Sequence, residues 1–326
     1  MRCGMNTKLR WVTLNSNEQI CFFYDMKKLL VILMALSGLT LTASAAKKNN
    51  VDGRKTAVDY VNPFVGTDGF GNVYPGAQVP FGGIQISPDT DEHFYDCASG
   101  YKWKRNSIQG FSLTHLSGTG IPDLGDFLFM PGVGEIKLQP GTDDAPDTGY
   151  RSRFSHNAEV ATPGYYSVML SDYGVKAEMT SAVRSGMLRF TYPKSSDAFV
   201  LVDMNHTLWQ KCVWSNIRVE NDSTIVGYKL VKGWGPERHI YFRAVFSKPF
   251  RQFTIYQDKK PVIYNTSRFR SNREAWGPNL LFTARFNTSE GEQITVRTAI
   301  SATSTNGCIV NMRELNNRSF EDVHRD

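Results

Sequence analysis

Short segments in which hydrophobic and polar residues alternate fill the chain from about residue 127 onward. In 164–170, for example, one side of the predicted strand carries Tyr166, Val168 and Leu170, and the other carries Tyr165, Ser167 and Met169. Turn-forming runs such as 221–223 (Asn-Asp-Ser) separate these segments. The pattern predicts strands at 127–130, 134–138, 164–170, 175–180, 187–192, 199–203, 217–220, 224–231, 240–247, 253–256, 280–286 and 294–301. Many short strands with almost no helical period predict an all-β fold, a large antiparallel β-sandwich.

The first 46 residues follow a different pattern. Residues 1–25 show no periodicity and are interpreted as an upstream extension, with translation starting at Met26. Residues 26–46 contain two lysines, an apolar run over 29–41 and small residues before Ala45 and Ala46. This order is typical of a secretory signal peptide, and the apolar run is short for a membrane span. The sequence therefore predicts a periplasmic or secreted product, without a membrane anchor after cleavage.

Charge and cysteine content exclude several classes of protein. Residues 47–326 contain 32 basic and 29 acidic residues, so the sequence pI near 9.0 comes partly from the leader. A nearly balanced charge does not favour a nucleic-acid partner. Cys97, Cys212 and Cys308 follow the leader and are too widely spaced for a disulfide framework or a zinc site.

Residues 62–126 interrupt the strand pattern and carry the candidate chemistry. They hold 11 of the 27 glycines and 5 of the 14 prolines, so we expect mostly loop. Aromatic residues alternate there with carboxylates and hydroxyls, which suits sugars, because their C–H faces stack on rings while their hydroxyls need hydrogen bonds. The alternative is structural: glycines serve turns, and aromatic side chains fill gaps beneath the loops.

The same region resembles a known family. The strings NPFVGT, VYPGAQVPFGGIQISPDT, CASGY, GFSLTHLSGTG and DLGDFLFMPG occur in this order from Asn62. They are similar to the N-terminal domain of the family-92 glycoside hydrolases, which are calcium-dependent, inverting, exo-acting α-mannosidases. The likeness continues through SRFSHNAEVATPGYYSVML, YGVKAEMT, GYKLVKGW and YFRAVFSKPF, so it spans roughly residues 58–311. It implies a large N-terminal β-sandwich, followed in the family by linker helices and an (α/α)6 barrel.

The resemblance also implies which residues shape the sugar pocket. In the family, loops of the N-terminal domain reach the mouth of the barrel and help to hold the terminal mannose. By motif match, the candidate substrate-binding residues are Tyr95, Asp96, Cys97, His115, Ser117, Gly118 and Thr119. His115 could bond a sugar hydroxyl, or it could be a buried histidine bonded to a loop carbonyl. Departures from the family pattern at Tyr95, Leu113 and Lys102-Trp103 leave the linkage open, with α-1,2 as the default.

No catalytic or metal-binding residue is assigned within this sequence. In the resembling enzymes, the catalytic acid, the base and most calcium ligands belong to the barrel, so calcium is expected as a cofactor of the intact enzyme. Asp123 and Asp126, or Asp96 with either of them, are the clustered acids that an autonomous hydrolase could use, since inversion needs two carboxyl groups about 6.5–9.5 Å apart. Phosphate-loop, zinc-protease and esterase motifs do not occur in the sequence.

The end of the sequence leads to the domain assignment. Residues 309–315 show a helix-like pattern, and Ser319 with Asp322 predicts a helix N-cap. We therefore assign a β-sandwich domain at 47–311 and the start of a truncated linker helix at 312–326. The leading hypothesis is a fragment of an exported α-mannosidase that acts on mannose-containing glycoprotein glycans with its own missing catalytic domain. The alternative is a non-catalytic carbohydrate-binding β-sandwich.

Overall fold

The computed structural model describes residues 56–90, 97–264 and 272–326. The predicted upstream extension (1–25) and signal peptide (26–46) lie outside these residues. Within the described ranges, no helix is long and apolar enough to cross a membrane.

Antiparallel strands make up most of the described chain. In chain order they are β1 Ser87–Asp89, β2 Ser107–Ile108, β3 Gly110–Ser112, β4 Leu128–Val133, β5 Ser152–Arg153, β6 Glu159–Thr162, β7 Tyr165–Leu170, β8 Val175–Ser181, β9 Ser185–Tyr192, β10 Ser195–Asp203, β11 Lys211–Asn221, β12 Thr224–Lys232, β13 Arg238–Phe246, β14 Gln252–Gln257, β15 Lys260–Pro261, β16 Glu274–Gly277, β17 Leu280–Thr288 and β18 Glu292–Ser301. One sheet has the order β1-β3-β4-β10-β17-β14-β15, and a larger sheet has the order β16-β11-β12-β13-β18-β9-β8-β7-β6. The short strands β2 and β5 pair separately. This confirms the predicted all-β antiparallel fold.

Aromatic side chains fill the space between the two large sheets. Phe242 of β13 lies 4.4 Å from Phe127 and 6.2 Å from Phe129 of β4, measured between ring centroids. Further along, Phe246 of β13 lies 6.1 Å from Phe286 of β17. Each such ring contributes about 2–3 kcal/mol on burial. The inward positions of both sheets therefore form one continuous core.

Strand β10 is buried on both faces, which strict alternation does not predict. Residues 198–202 are completely buried. One face meets the larger sheet, and on the other the ring of Tyr173 packs edge-on against Phe199 at 5.7 Å. The Tyr150 hydroxyl donates to Asp203 Oδ2 at 2.8 Å at the end of the same strand. The continuous apolar run therefore reflects a strand covered from two sides.

The predicted strand at 134–138 is absent from the structure. Strand β4 ends at Val133, and Gly134 has φ +91°. The apolar residues Ile136 and Leu138 instead pack against the core from an irregular segment. Hydrophobic content indicated burial there, but the left-handed glycine ends the strand.

The C-terminal residues form short helices that pack on the larger sheet. Helix α1 (Thr305–Asn311) is followed by a 3-10 turn (Met312–Leu315) and helix α2 (Phe320–Arg325). Ser319 caps α2 by accepting from the Asp322 amide, and the Asp322 carboxylate accepts from the Ser319 amide in return. The predicted N-cap at Ser319 is thus present.

Candidate functional site

Residues 62–126 divide into a buried part and an exposed rim. Tyr74, Tyr101 and Phe111 lie in the core, as the structural alternative expects. By contrast, Phe70 is 85% exposed and Phe81 is fully exposed. Some aromatic residues of this region therefore fill the core, and others are exposed. We call the loops at 66–73, 78–83 and 116–125 the rim.

The predicted Ser117, Gly118 and Thr119 lie on this rim. Ser117 and Gly118 are exposed and Thr119 is half-buried. Gly118 has φ +73°, a conformation that favours glycine, and its amide donates to the Asn72 carbonyl at 2.7 Å. The Thr119 hydroxyl donates to the Ile121 carbonyl at 2.8 Å. These bonds hold the loop in one conformation, with Ser117 and Gly118 exposed.

His115 lies beneath the rim rather than on it, and its side chain is completely buried. Its Nδ1 lies 2.8 Å from the Gln85 carbonyl oxygen, and its Nε2 lies 2.8 Å from Asp89 Oδ1. Ser112 Oγ also lies 3.1 Å from Nε2, so both ring nitrogens have partners within the protein. This geometry is the buried histidine of the structural alternative, and it does not place the imidazole against a sugar.

Of the other predicted residues, Cys97 is also buried. Tyr95 and Asp96 lie outside the described residues, so their predicted sugar contacts stay predictions. Among the described residues, no disulfide joins Cys97, Cys212 or Cys308 to one another.

Asp89, which sequence reasoning missed as a site residue, is the centre of the buried polar network. His206 Nε2 lies 2.9 Å from Asp89 Oδ2, so the carboxylate binds two imidazoles at once. Burial alone would raise the pKa of Asp89, but His115 and His206 outweigh that effect and hold the pKa of this carboxyl well below its usual range. The carboxylate is therefore ionised and fixed.

A second buried carboxylate, Asp126, is held in an ion pair that does not suit the general acid of the proposed acid pair. Its oxygens accept from the Arg238 guanidinium at 2.6 and 3.1 Å, and Lys229 Nζ lies 3.5 Å away. Burial would raise its pKa, but Lys229 and Arg238 lower the pKa below the usual value. Asp123 Oδ1 faces the same guanidinium at 3.9 Å. A permanently ionised, ion-paired aspartate cannot act as the general acid of a glycosidase.

Glu159 forms a third buried carboxylate cluster below the loops. It accepts from the Tyr101 hydroxyl at 3.0 Å and also from Tyr166. His156 Nδ1 lies 2.7 Å from Glu159, and the imidazole stacks on Trp103 with ring centroids 3.7 Å apart. Trp103, at a position that departs from the family pattern, is thus partly covered by a neighbouring ring.

These carboxylates do not form a metal centre. Among the described residues, no three His, Cys, Asp or Glu side chains come together to hold a metal ion. The Asp89 carboxylate contacts two histidines, and the Asp126 carboxylate is ion-paired with Lys229 and Arg238. Neither carboxylate therefore has oxygens available to coordinate calcium. The described residues therefore do not fit a calcium site of their own, and calcium stays a prediction for the intact enzyme.

A groove of about 640 Å³ runs from the rim to helix α1. Gln85, Thr114 and Leu124 line it on the side of the rim, and Arg184 and Arg238 contribute positive charge. The lining also includes apolar residues such as Ile240 and Ile300, and the groove adjoins the loops that the sequence singled out.

The fold is an antiparallel β-sandwich with glycine-rich loops exposed at one side. The chain belongs to the family described as the glycosyl hydrolase family 92 N-terminal domain, whose model matches residues 60–301.

Solved relatives support this assignment. An α-mannosidase of family 92 from Bacteroides thetaiotaomicron, solved with mannoimidazole, is 69% identical with a TM-score of 0.81, and the match covers 82% of this chain and 35% of that one. An inverting mannosidase of family 92 from Bacteroides thetaiotaomicron VPI-5482 is 26% identical with a TM-score of 0.68, covering 83% of this chain and 35% of that one. The present chain thus spans about one third of the length of these enzymes.

A curated fungal relative matches a shorter stretch. An uncharacterized secreted glycosidase of Arthroderma benhamiae is 30% identical over 143 residues, which are 42% of this chain and 17% of that protein.

Proposed function

We propose that this chain is the pocket-completing N-terminal domain of an exported α-mannosidase. The intact enzyme would remove terminal mannose, α-1,2-linked by default, from glycoprotein N-glycans by calcium-dependent inverting hydrolysis. The export signal would be residues 26–46, and the periplasm or the exterior its destination. The reacting carboxylates and the calcium ligands would lie outside this sequence.

The single observation that carries the proposal is the exposed rim above a rigid base. Ser117 and Gly118 are exposed and Thr119 is half-buried beside them, while buried charge clusters hold the loop from below. Such a surface suits a sugar, because preorganised donors and acceptors bind hydroxyls without further ordering cost. Hydrolysis is assigned to residues outside this sequence because the family resemblance places the acid and the base in the barrel, and the ion pair of Asp126 with Arg238 agrees with that assignment.

The proposal predicts that this chain alone does not hydrolyse an aryl α-mannoside, with or without calcium. The same residues, joined to whatever coding sequence follows the codon for Asp326, should gain turnover that a calcium chelator removes. Release of the aryl group, followed by absorbance, checks both. The proposal fails if the downstream sequence encodes no helical domain, or if the short chain is active and loses that activity in Asp123→Asn.

A stand-alone carbohydrate-binding module is the second candidate, favoured by the exposed aromatic side chains of the rim, Phe70 and Phe81. It predicts that the chain without any added domain binds mannose-containing glycans as tightly as the longer polypeptide does. Calorimetric titration of both forms distinguishes it from the first proposal, under which the longer polypeptide binds more tightly.

A further inference from the structure

One buried carboxylate connects two loops that come from distant parts of the sequence. Asp89 Oδ1 binds His115, which leads into the rim segment 116–125, and Asp89 Oδ2 binds His206, in the segment 205–210. The side chains of Asp89 and His115 are completely buried, and that of His206 is 1% exposed. A shift of this carboxylate would therefore move both segments.

The two segments are also joined directly. The Leu208 amide donates to the Leu124 carbonyl at 3.0 Å, and Gln210 Nε2 donates to the Pro122 carbonyl at 2.8 Å. In the other direction, the Leu124 amide donates to Gln210 Oε1 at 3.2 Å. Segment 205–210 thus lies beside the rim loop 116–125 and is hydrogen-bonded to it.

Trp209 stands out in this second segment. Its backbone has φ +73°, which bulky residues rarely adopt, and its side chain is 62% exposed. Its neighbours Thr207 and Leu208 are buried. An indole turned towards solvent from a strained backbone does not stabilise the fold, and such outliers are held in place at functional sites.

We propose that Trp209 is a sugar-stacking residue of the rim, and that Asp89 is the positioning residue that aligns it with Ser117, Gly118 and Thr119. The ligand class is a hexopyranose with an apolar C–H face, such as a terminal α-mannoside, whose hydroxyls would meet the serine–glycine–threonine loop. This inference rests on the proposed function, because it adds Trp209 as a second contact surface of the same sugar pocket.

An aspartate is required at position 89 for chemical and steric reasons. Two ring N–H groups converge on it, and only a carboxylate offers each of them an acceptor oxygen. The space is closed on the opposite side, since a Cβ added to Gly100 would lie 2.2 Å from Asp89 Oδ1. An asparagine would present its NH₂ group to one of the two imidazoles and release that loop.

The role of Trp209 is tested by titrating the 326-residue chain with methyl α-mannopyranoside, followed by saturation-transfer NMR. Trp209→Ala is expected to weaken binding about tenfold, and Trp209→Phe, which keeps a ring, to retain most of it. Trp276→Ala is the matched control, because Trp276 is 53% exposed but lies on the outer strand β16, paired with Asn216 far along β11.

The role of Asp89 is tested by Asp89→Asn, with amide hydrogen exchange and imidazole NMR as readouts. Exchange of the amides at 117–119 and 207–209 is expected to rise about tenfold or more, while the turn at 172–174 stays unchanged. The ring signals of His115 and His206 should shift, because both imidazoles contact Asp89. Sugar binding should weaken together with these local changes.

The outcomes distinguish a failure of the roles proposed for Trp209 and Asp89 from a failure of the proposed function. One result would overturn the role of Trp209 alone. In that case wild type binds the mannoside, the double variant Ser117→Ala with Thr119→Val binds it more weakly, and Trp209→Ala binds it as wild type does. The proposed function would then stand. Uniformly faster exchange in Asp89→Asn would show a merely structural aspartate and overturn its positioning role. Absence of any binding by wild type would overturn this inference and the sugar-contacting role of the rim together.

Discussion

At the scale of single residues, buried ionised carboxylates hold the loops in place. Asp126 is completely buried between Arg238 and Lys229, and Lys229 itself has no exposed surface. Removing one partner from such a group leaves the remaining charges without compensation in a medium of low dielectric. The loops above depend on these contacts, because the Thr114 hydroxyl donates to Asp126 at 2.7 Å just before His115.

Asp126→Asn is therefore expected to lower the free energy of unfolding by about 3–5 kcal/mol, because Lys229 and Arg238 would stay buried without their counter-ion. Urea denaturation followed by tryptophan fluorescence measures this loss. Asp144→Asn, an exposed aspartate in the 141–145 turn, is the control and should change stability by less than about 0.5 kcal/mol. Similar losses in both variants would show that the cluster does not stabilise the fold as argued.

Stability should also fall in acid because of Asp89 and Asp126. Both have folded-state pKa values below their usual range. A group with a lowered folded pKa stabilises the fold above its unfolded pKa, about 3.9 for Asp, and loses that contribution as pH falls through the folded value. We expect the free energy of unfolding to decrease steadily from about pH 4 downward. Urea midpoints between pH 6 and pH 2 test this, and midpoints that stay constant below pH 4 would contradict it.

At the scale of elements, the C-terminal helices are tied to the larger sheet by a small cluster of their own. Leu315, Phe320 and Val323 bury Met187 of β9. The Arg189 guanidinium lies 4.0 Å from the centre of the Phe320 ring and also bonds Glu321 and Glu178. Helix α2 spans six residues and is too short to be stable alone, so this contact holds it in place.

Phe320→Ala is expected to destabilise the chain by about 3 kcal/mol or to detach α2 locally, because it removes the main apolar contact and the stacked arginine. Far-UV circular dichroism and the exchange rates of the 320–325 amides distinguish these results. Ile309→Ala, on the exposed side of α1, should be nearly neutral. Unchanged exchange in Phe320→Ala would mean that other contacts fix the helix.

At the scale of the whole molecule, the two sheets meet through close contacts between rings and glycines. Gly227 of β12 pairs with Phe242 of β13, and a Cβ at Gly227 would lie 2.4 Å from Phe242 Cε1 and 2.7 Å from the Asn216 carbonyl oxygen. Phe242 in turn packs against Phe127 of the opposite sheet. The glycine therefore sets the depth at which this ring enters the core.

Gly227→Ala is expected to cost about 1–3 kcal/mol, because Phe242 cannot move away without disturbing the facing sheet. Thermal unfolding measures the effect. Gly235→Ala is the matched control, since a Cβ there meets no atom within 4 Å. Equal melting temperatures for the two variants would show that the packing tolerates an extra carbon.

The sequence determined the strand content, the antiparallel class and the family, because alternation, turn residues and ordered motifs are local signals. It also indicated Ser117 and Gly118, which the structure places on the exposed rim, while their contact with a sugar stays a prediction. It did not reveal that His115 faces inward, since burial depends on what packs around the loop.

Only the tertiary structure decided which charges meet. Asp89 and His206 are 117 positions apart, and Asp126 and Arg238 are 112 apart. Nothing local in the sequence encodes these pairs. The first joins β1 to the segment after β10 within one sheet, and the second joins the residue two positions before β4 to β13 of the other sheet. The same folding brings segment 205–210, which carries Trp209, beside the glycine-rich loop. The proposed role of Trp209 therefore depends on the fold and not on a sequence motif.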